Sequence, residues 1–255
     1  MGIRKKIKNW LYKRKYQNFR FEDFEVENAT VLITGANSGI GLELVKVFQN
    51  SNKVLAFYNR NSKNLDKISS QNLEKFSLDL TDLNQKCLER LKNYLSKNKP
   101  NIIINNAVYN KVPDETELLE FDHQSYLDSF KISCTSILKI IQLALKDSNE
   151  LNTIINLSST RGSIKNNIEG MHYRYRATKA SMNAISKSLS VDLKKKFNIN
   201  VITISPGEIL TELNPNGLIN PEVCAKKIFH FLGIKSLADF NGKFIDISSY
   251  KEIDW

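Results

Sequence analysis

The stretch Thr34-Gly35-Ala36-Asn37-Ser38-Gly39-Ile40-Gly41 decides how this chain is read. It follows the apolar run Val31-Leu32-Ile33 and opens into Leu42-Glu43-Leu44-Val45-Lys46-Val47-Phe48, whose apolar residues recur at helical spacing. A strand, a glycine-rich turn and a helix start therefore meet within a few residues. That arrangement aims free backbone N–H groups and the positive end of a helix dipole at one point, which suits a pyrophosphate. Gly35 can take a turn conformation closed to other residues, while Gly39 and Gly41 let the backbone approach a ligand and the helix pack close to the sheet. The spacing is G-x-x-x-G-x-G, not G-x-G-x-x-G, so the turn alone also fits a plain tight connection; its strand and helix context favours a nucleotide site.

Working outward, short β-branched runs alternate with helical patterns from Ala29 onward. The expected strands are Thr30–Thr34, Lys53–Tyr58, Glu74–Leu78, Asn101–Asn105, Thr153–Leu157, Asn200–Ser205 and Lys243–Ile247. The expected helices include Asp122–Leu145, Tyr173–Lys196 and Glu222–Phe231. Runs such as Ile102-Ile103-Ile104 are uniformly apolar, as in a parallel sheet covered by helices on both faces. The pattern predicts an α/β, doubly wound parallel sheet of about seven strands, in a single domain over residues 29–255 that follows a basic arm at 1–28.

The net charge of +10 belongs to that arm. Residues 1–20 hold Arg4, Lys5, Lys6, Lys8, Lys13, Arg14, Lys15 and Arg20 and no acid, whereas the rest of the chain is nearly balanced. The main domain is therefore not a basic nucleic-acid-binding fold. Within the arm, Ile3, Ile7, Trp10 and Leu11 recur at helical spacing, so peripheral contact with an anionic membrane is one reading. A solvated tail, a helix packed on the domain or on a second subunit, and a mitochondrial presequence are others. Lys6 stands where a myristoylation pattern wants Ser or Thr. No stretch reaches the length of a membrane span, and the basic start lacks the apolar segment of a secretory signal. Cys87, Cys134 and Cys224 are few and scattered, and with His123, His172 and His230 they form no ligand cluster. A reducing cytoplasm and no structural metal are expected.

The candidate site residues lie where an open parallel sheet binds ligands, at the carboxyl ends of its strands. The second strand ends at Asn59-Arg60 with no acid, and the guanidinium fits a 2′-phosphate, which favours NADP(H) over NAD(H). The third is followed by Asp79-Leu80, the fourth by Asn105-Asn106-Ala107, the fifth by Ser158-Ser159, and the sixth by Pro206-Gly207-Glu208-Ile209-Leu210-Thr211. Tyr175 and Lys179 stand four apart, on one face of a helix.

In this order Thr34 to Gly41, Asp79-Leu80, Asn105-Asn106-Ala107, Ser159-x-x-Gly162, Tyr175-x-x-x-Lys179 and Pro206-Gly207-x-Ile209-x-Thr211 resemble the short-chain dehydrogenase/reductase family. The segment Tyr175–Asn183 and the ending from Gly242 to Trp255 look closest to its C-factor and sniffer-like carbonyl reductases. The resemblance implies a Rossmann-type fold and an oxidoreductase that interconverts a small-molecule carbonyl and an alcohol with NADP(H), commonly as a homodimer or homotetramer. It implies Tyr175 as general acid or base, Lys179 favouring the phenolate and holding the nicotinamide ribose, and Ser159 bonding the substrate carbonyl. It further implies Gly35, Asn37, Ser38, Gly39, Ile40, Gly41, Arg60, Asp79, Leu80, Asn106, Ala107, Pro206, Gly207, Ile209 and Thr211 as cofactor-binding. Departures are Ser133, which aligns where the family has a relay Asn, Val108 in place of a Gly, a longer segment between Ser159 and Tyr175, and a short loop after Thr211. Ser133 and the basic arm leave a second reading open: a nucleotide-binding scaffold or regulator with little catalysis.

Overall fold

The computed structural model describes residues 3–17, 26–109, 118–146, 148–234 and 236–255. Of the expected arm, Gly2, Arg20, Glu22, Asp23 and Glu25 lie outside the described residues. The strands are β1 (Thr30–Thr34), β2 (Lys53–Tyr58), β3 (Leu73–Ser77), β4 (Ile102–Asn105), β5 (Thr153–Leu157), β6 (Asn200–Ser205), β7 (Phe244–Asp246) and β8 (Lys251–Glu252). They form one sheet in the order β3-β2-β1-β4-β5-β6-β7-β8. Every neighbouring pair is parallel except β7 and β8. The order reverses beside β1, where chain direction leaves a crevice at the strands' carboxyl ends.

The uniformly apolar strands serve two cores, because successive side chains point to opposite faces. Val31 and Ile33 of β1 and Ile102 and Ile104 of β4 pack on one face with Leu44, Val45 and Phe48 of helix α2 (Gly39–Phe48) and Ala225 and Ile228 of helix α7 (Pro221–Gly233). Leu32 and Ile103 point the other way. They meet Leu91 and Leu95 of helix α3 (Gln85–Asn98), Ile140 and Ile141 of helix α5 (Ser136–Ala144), and Met182 of helix α6 (Tyr173–Phe197). The remaining helices are α1 (Ile3–Gln17) and α4 (His123–Phe130).

Two features depart from the expected pattern. The sheet has eight strands, one more than the approximate count expected. After β7, Asp246 accepts the Ser248 N–H and the Ser248 and Ser249 hydroxyls at 2.8–2.9 Å, and this tight turn brings β8 back antiparallel. The helix expected over Asp122–Leu145 is broken by a π-helical turn at Lys131–Thr135 between α4 and α5. There the Thr135 hydroxyl bonds the Lys131 carbonyl at 3.1 Å and the Ser136 hydroxyl bonds the Ile132 carbonyl at 2.6 Å, drawing acceptors out of the regular ladder. Of the readings of the basic arm, the helix packed on the domain is the one present: α1 inserts Tyr16, wholly buried, into the core shared with α7. Among the described residues no helix is long and apolar enough to cross a membrane.

Candidate active site

The glycine turn joins β1 to α2. Gly35 has φ +66°, and a Cβ there would lie 2.8 Å from the Ala107 Cα. Gly41 packs closer still: a Cβ would come 2.2 Å from the Gly35 carbonyl oxygen. The turn is braced from the end of β4. The Asn106 carboxamide donates to the Thr34 and Gly35 carbonyls at 3.0 and 3.1 Å, and the Asn106 and Ala107 N–H groups donate to the Thr34 hydroxyl. Ser38 occupies the N-cap of α2 in extended conformation without a side-chain cap. The first N–H groups of α2 thus have no partner inside the helix, and an anion at this end would meet them.

A cavity of about 590 Å³ opens in front of this turn. Its walls include Gly35, Asn37, Ser38, Gly39, Ile40, Arg60, Leu80, Asn106, Ala107 and Thr211, all expected cofactor contacts. Arg60 is highly exposed, with Nη2 4.0 Å from an Asp79 carboxylate oxygen, a weak pairing in water. Asp79 itself accepts the Thr81 N–H and hydroxyl at 2.9 and 2.6 Å, which holds the turn after β3. Lys63 and Asn64, which sequence reasoning missed, also line the cavity. The signal for them was faint: they stand in an Asn- and Lys-rich loop that reads as solvated surface. Asn37 fastens that loop to the glycine turn, its side-chain Oδ1 accepting the Asn64 and Leu65 N–H groups at 3.2 Å each.

Beyond β5 the short turn capped by Ser159 packs through Gly162 against helix α6, which carries Tyr175 and Lys179. Gly162 permits this: a Cβ there would lie 2.9 Å from both the Lys179 carbonyl carbon and its Cβ. A buried polar chain fixes α6 against the sheet. The Asn105 side-chain amide donates to the Asn156 Oδ1 at 2.8 Å, the Asn156 side-chain amide to the Ser186 hydroxyl at 2.8 Å, and that hydroxyl to the Met182 carbonyl. Ser158 donates to Asn183 at 2.6 Å, and Asn183 donates to the Gly162 carbonyl. Asn156 was detectable in principle, as a polar residue inside an apolar strand buried on both faces. At the head of α6, Met171 and His172 both adopt left-handed conformations, and the Arg176 guanidinium ties the Gly170 and Met171 carbonyls.

Lys179 is buried, with Nζ 2.6 Å from the Leu157 carbonyl and 5.8 Å from the Tyr175 ring centre. Burial pushes its ammonium down to about 8, opposed by the neighbouring Cys134. The Cys134 thiol is in turn pushed up to about 11 by burial. Ser159 caps the short turn Thr160–Gly162, its hydroxyl oxygen accepting the Arg161 N–H at 3.2 Å. Ser133 lies buried at the middle of the π turn, next to Ile132 in the cavity wall. Ser159, Tyr175, Lys179 and Ser133 do not themselves line the 590 Å³ cavity. Tyr109 connects the two regions, as a cavity wall whose ring stacks 5.1 Å from the guanidinium of Arg174.

The loop after β6 approaches from the other side. Thr211 sits where a Gly39 Cβ would meet its methyl at 3.3 Å, whereas Pro206, Gly207 and Ile209 lie outside the cavity wall. Ile209 is buried, bridged to Ile219. Pro206 and Glu208 are held from behind, by hydrogen bonds to Tyr16 (2.9 Å) and Tyr12 (3.2 Å) of α1.

Residues 29–218 match the family model described as short chain dehydrogenase. The chain belongs to the short-chain dehydrogenase/reductase family. Family membership makes it an oxidoreductase of CH–OH groups with an NAD(P)-binding Rossmann fold. Its relatives include the 3-oxoacyl-(acyl-carrier-protein) reductase of Buchnera aphidicola subsp. Schizaphis graminum, 28% identical over 75% of this chain and 78% of the relative. The L-fucose dehydrogenase of Rattus norvegicus is 27% identical over 72% and 67% respectively. In fold it is similar to the carbonyl reductase Sniffer of D. melanogaster, with a TM-score of 0.78 and 23% identity over 90% of this chain and all of the other. The NADPH-bound carbonyl reductase from chicken fatty liver gives 0.76 and 23% over the same shares. The residues present fit a dinucleotide, since uncapped helix N–H groups, a cavity of ligand size and two cations at its rim converge.

Proposed function

We propose that the chain is an NADP(H)-dependent oxidoreductase that interconverts a small-molecule carbonyl and an alcohol, with Tyr175 as the acid in reduction and the base in oxidation. The observation that carries this reading is the buried ammonium of Lys179, 5.8 Å from the Tyr175 ring. A bound nicotinamide would supply or take up the hydride. A phenol beside a desolvated ammonium gives up its proton more readily, because the cation stabilises the phenolate most strongly where water is excluded. Ser159 uses its oxygen to accept from Arg161, so its own proton remains to bond the substrate oxygen. Ser133 stands where the family places its relay Asn. Arg60 and Lys63 at the cavity rim support NADP(H), as do neighbours in fold that hold NADPH or NADP, whereas two structures of a 4-hydroxyisoleucine dehydrogenase hold NADH.

Exposed Leu127, Phe130 and Leu138 on the α4–α5 segment and Val191 on α6 support homo-oligomerisation through these helices. The free thiols of Cys87, Cys134 and Cys224 favour a reducing, cytoplasmic setting.

The test is Tyr175→Phe. It is expected to bind NADPH like the wild type and to lose about 10²- to 10⁴-fold in turnover on a panel of aldehydes and ketones. Full activity in the variant would overturn the assignment. Wild-type protein that binds NADPH without oxidising it on any carbonyl would point instead to a nucleotide-binding regulator.

A further inference from the structure

We propose that helix α1 is a docking element for an anionic lipid surface. Its two sides are chemically distinct. Tyr12 and Tyr16, four residues apart, face the domain: the Tyr16 ring is buried beneath the Lys227 ammonium at 4.7 Å, and both hydroxyls bond the loop after β6. Ile7, Trp10, Leu11 and Arg14 recur at the spacing of a single helix side. That side points away from the tyrosines, and Ile7, Trp10 and Leu11 are 53%, 55% and 53% exposed. The apolar stripe therefore does not serve to pack α1 onto its own domain, since the tyrosines already do that.

Charge selects the occupant. Residues 1–20 carry eight basic residues and no acid. Lys6, Lys13 and Arg14 are exposed beside the stripe, and the Arg14 guanidinium lies 5.2 Å over the Trp10 ring. An apolar stripe carrying a tryptophan and flanked by cations is the composition of a helix that lies in a lipid interface and is drawn to anionic headgroups. A second copy of the same helix would instead set like charges against one another. The tyrosine anchors make α1 a fixed part of the domain, so lipid contact would orient the sheet's carboxyl edge and not merely tether it.

The experiment is co-sedimentation of the full chain with phosphatidylcholine vesicles, with and without phosphatidylserine. Two variants leave the tyrosine face intact: Trp10→Ser/Leu11→Ser, and Lys6→Glu/Lys13→Glu/Arg14→Glu. The wild type is expected to bind only the phosphatidylserine vesicles and to be released by salt. The charge-reversed variant is expected to partition at least about a hundredfold more weakly, and the apolar variant to lose binding as well. NADPH binding should be unchanged in both, which separates this result from the fate of the proposed oxidoreductase. Failure to bind, equal binding to both vesicle types, or a lipid-free dimer abolished by Trp10→Ser/Leu11→Ser would overturn the proposal.

Discussion

Replacing Lys179 by Met tests the electrostatics of the candidate site through stability alone. Burial lowers this ammonium from 10.5 to about 8. In the unfolded chain it titrates near its ordinary value, so between those two pH values the unfolded state binds more protons than the folded one. Stability therefore rises with pH across that window, and the charge penalty is fully present only below about pH 8. The fall corresponds to about 3 kcal/mol, taking about 1.4 kcal/mol per pH unit. Lys179→Met removes this contribution and leaves the Leu157 carbonyl without its 2.6 Å donor. That loss costs about 1–3 kcal/mol but does not change with pH. The stability of the wild type relative to Lys179→Met should therefore climb by about 3 kcal/mol between pH 7 and pH 10.5. Urea unfolding followed by circular dichroism, without nucleotide, measures it at both ends. The Tyr12 phenol, pushed up to about 12 by burial, and the other groups remote from Lys179 are common to both proteins and cancel in the comparison. A difference that stays flat with pH would mean the ammonium is solvated, and the argument for its action on Tyr175 would fall with it.

Arg60→Ala should weaken NADPH binding about ten- to a hundredfold, the value of one charge-assisted contact, with NADH unaffected; equal losses for both nucleotides in a titration would remove Arg60 from the 2′-phosphate. Gly41→Ala should destabilise the fold by about 3 kcal/mol or more and abolish nucleotide binding, because its methyl would sit 2.2 Å from the Gly35 oxygen; calorimetric melting reads the first and fluorescence titration the second. Tyr16→Phe should cost about 1–3 kcal/mol in urea unfolding by stranding the Pro206 carbonyl, and an unchanged midpoint would mean that α1 is not seated on that loop.

The sheet was legible because its signal is local. Val31-Leu32-Ile33 and Ile102-Ile103-Ile104 must fill two cores at once, so each residue of the run is apolar, and the glycine turn follows directly. The order of the strand-end motifs was legible for the same reason, since each sits next to the strand that positions it. What escaped was set by contacts distant in sequence. Asn105, Asn156 and Ser186 fix α6 across three elements, through links that span 51 and 30 residues of chain. The π turn arises from Thr135 and Ser136 hydroxyls that bond carbonyls four residues back, in competition with an apolar pattern that reads as unbroken helix. The arm read as amphipathic, and it is, but its apolar stripe is the outer side; the inward side is made by two tyrosines whose partners lie about 190 residues away.

That last contact changes what the Pro206-Gly207 pair means in this chain. Gly207 has φ +87°, a conformation that side chains rarely adopt, and this alone would require glycine in the turn. A Cβ at the same position would also lie 2.1 Å from the Tyr12 hydroxyl oxygen. The glycine is thus required twice, once by the bend of the loop and once by the approach of α1. The two requirements meet on a loop whose far end, Thr211, closes against Gly39 at the cleft. A segment that looks dispensable from its composition is consequently wired to the cofactor side of the sheet. Tyr16 and Tyr12 hold the start of the loop, Ile209 is bridged to Ile219 midway, and Thr211 lies at the cleft.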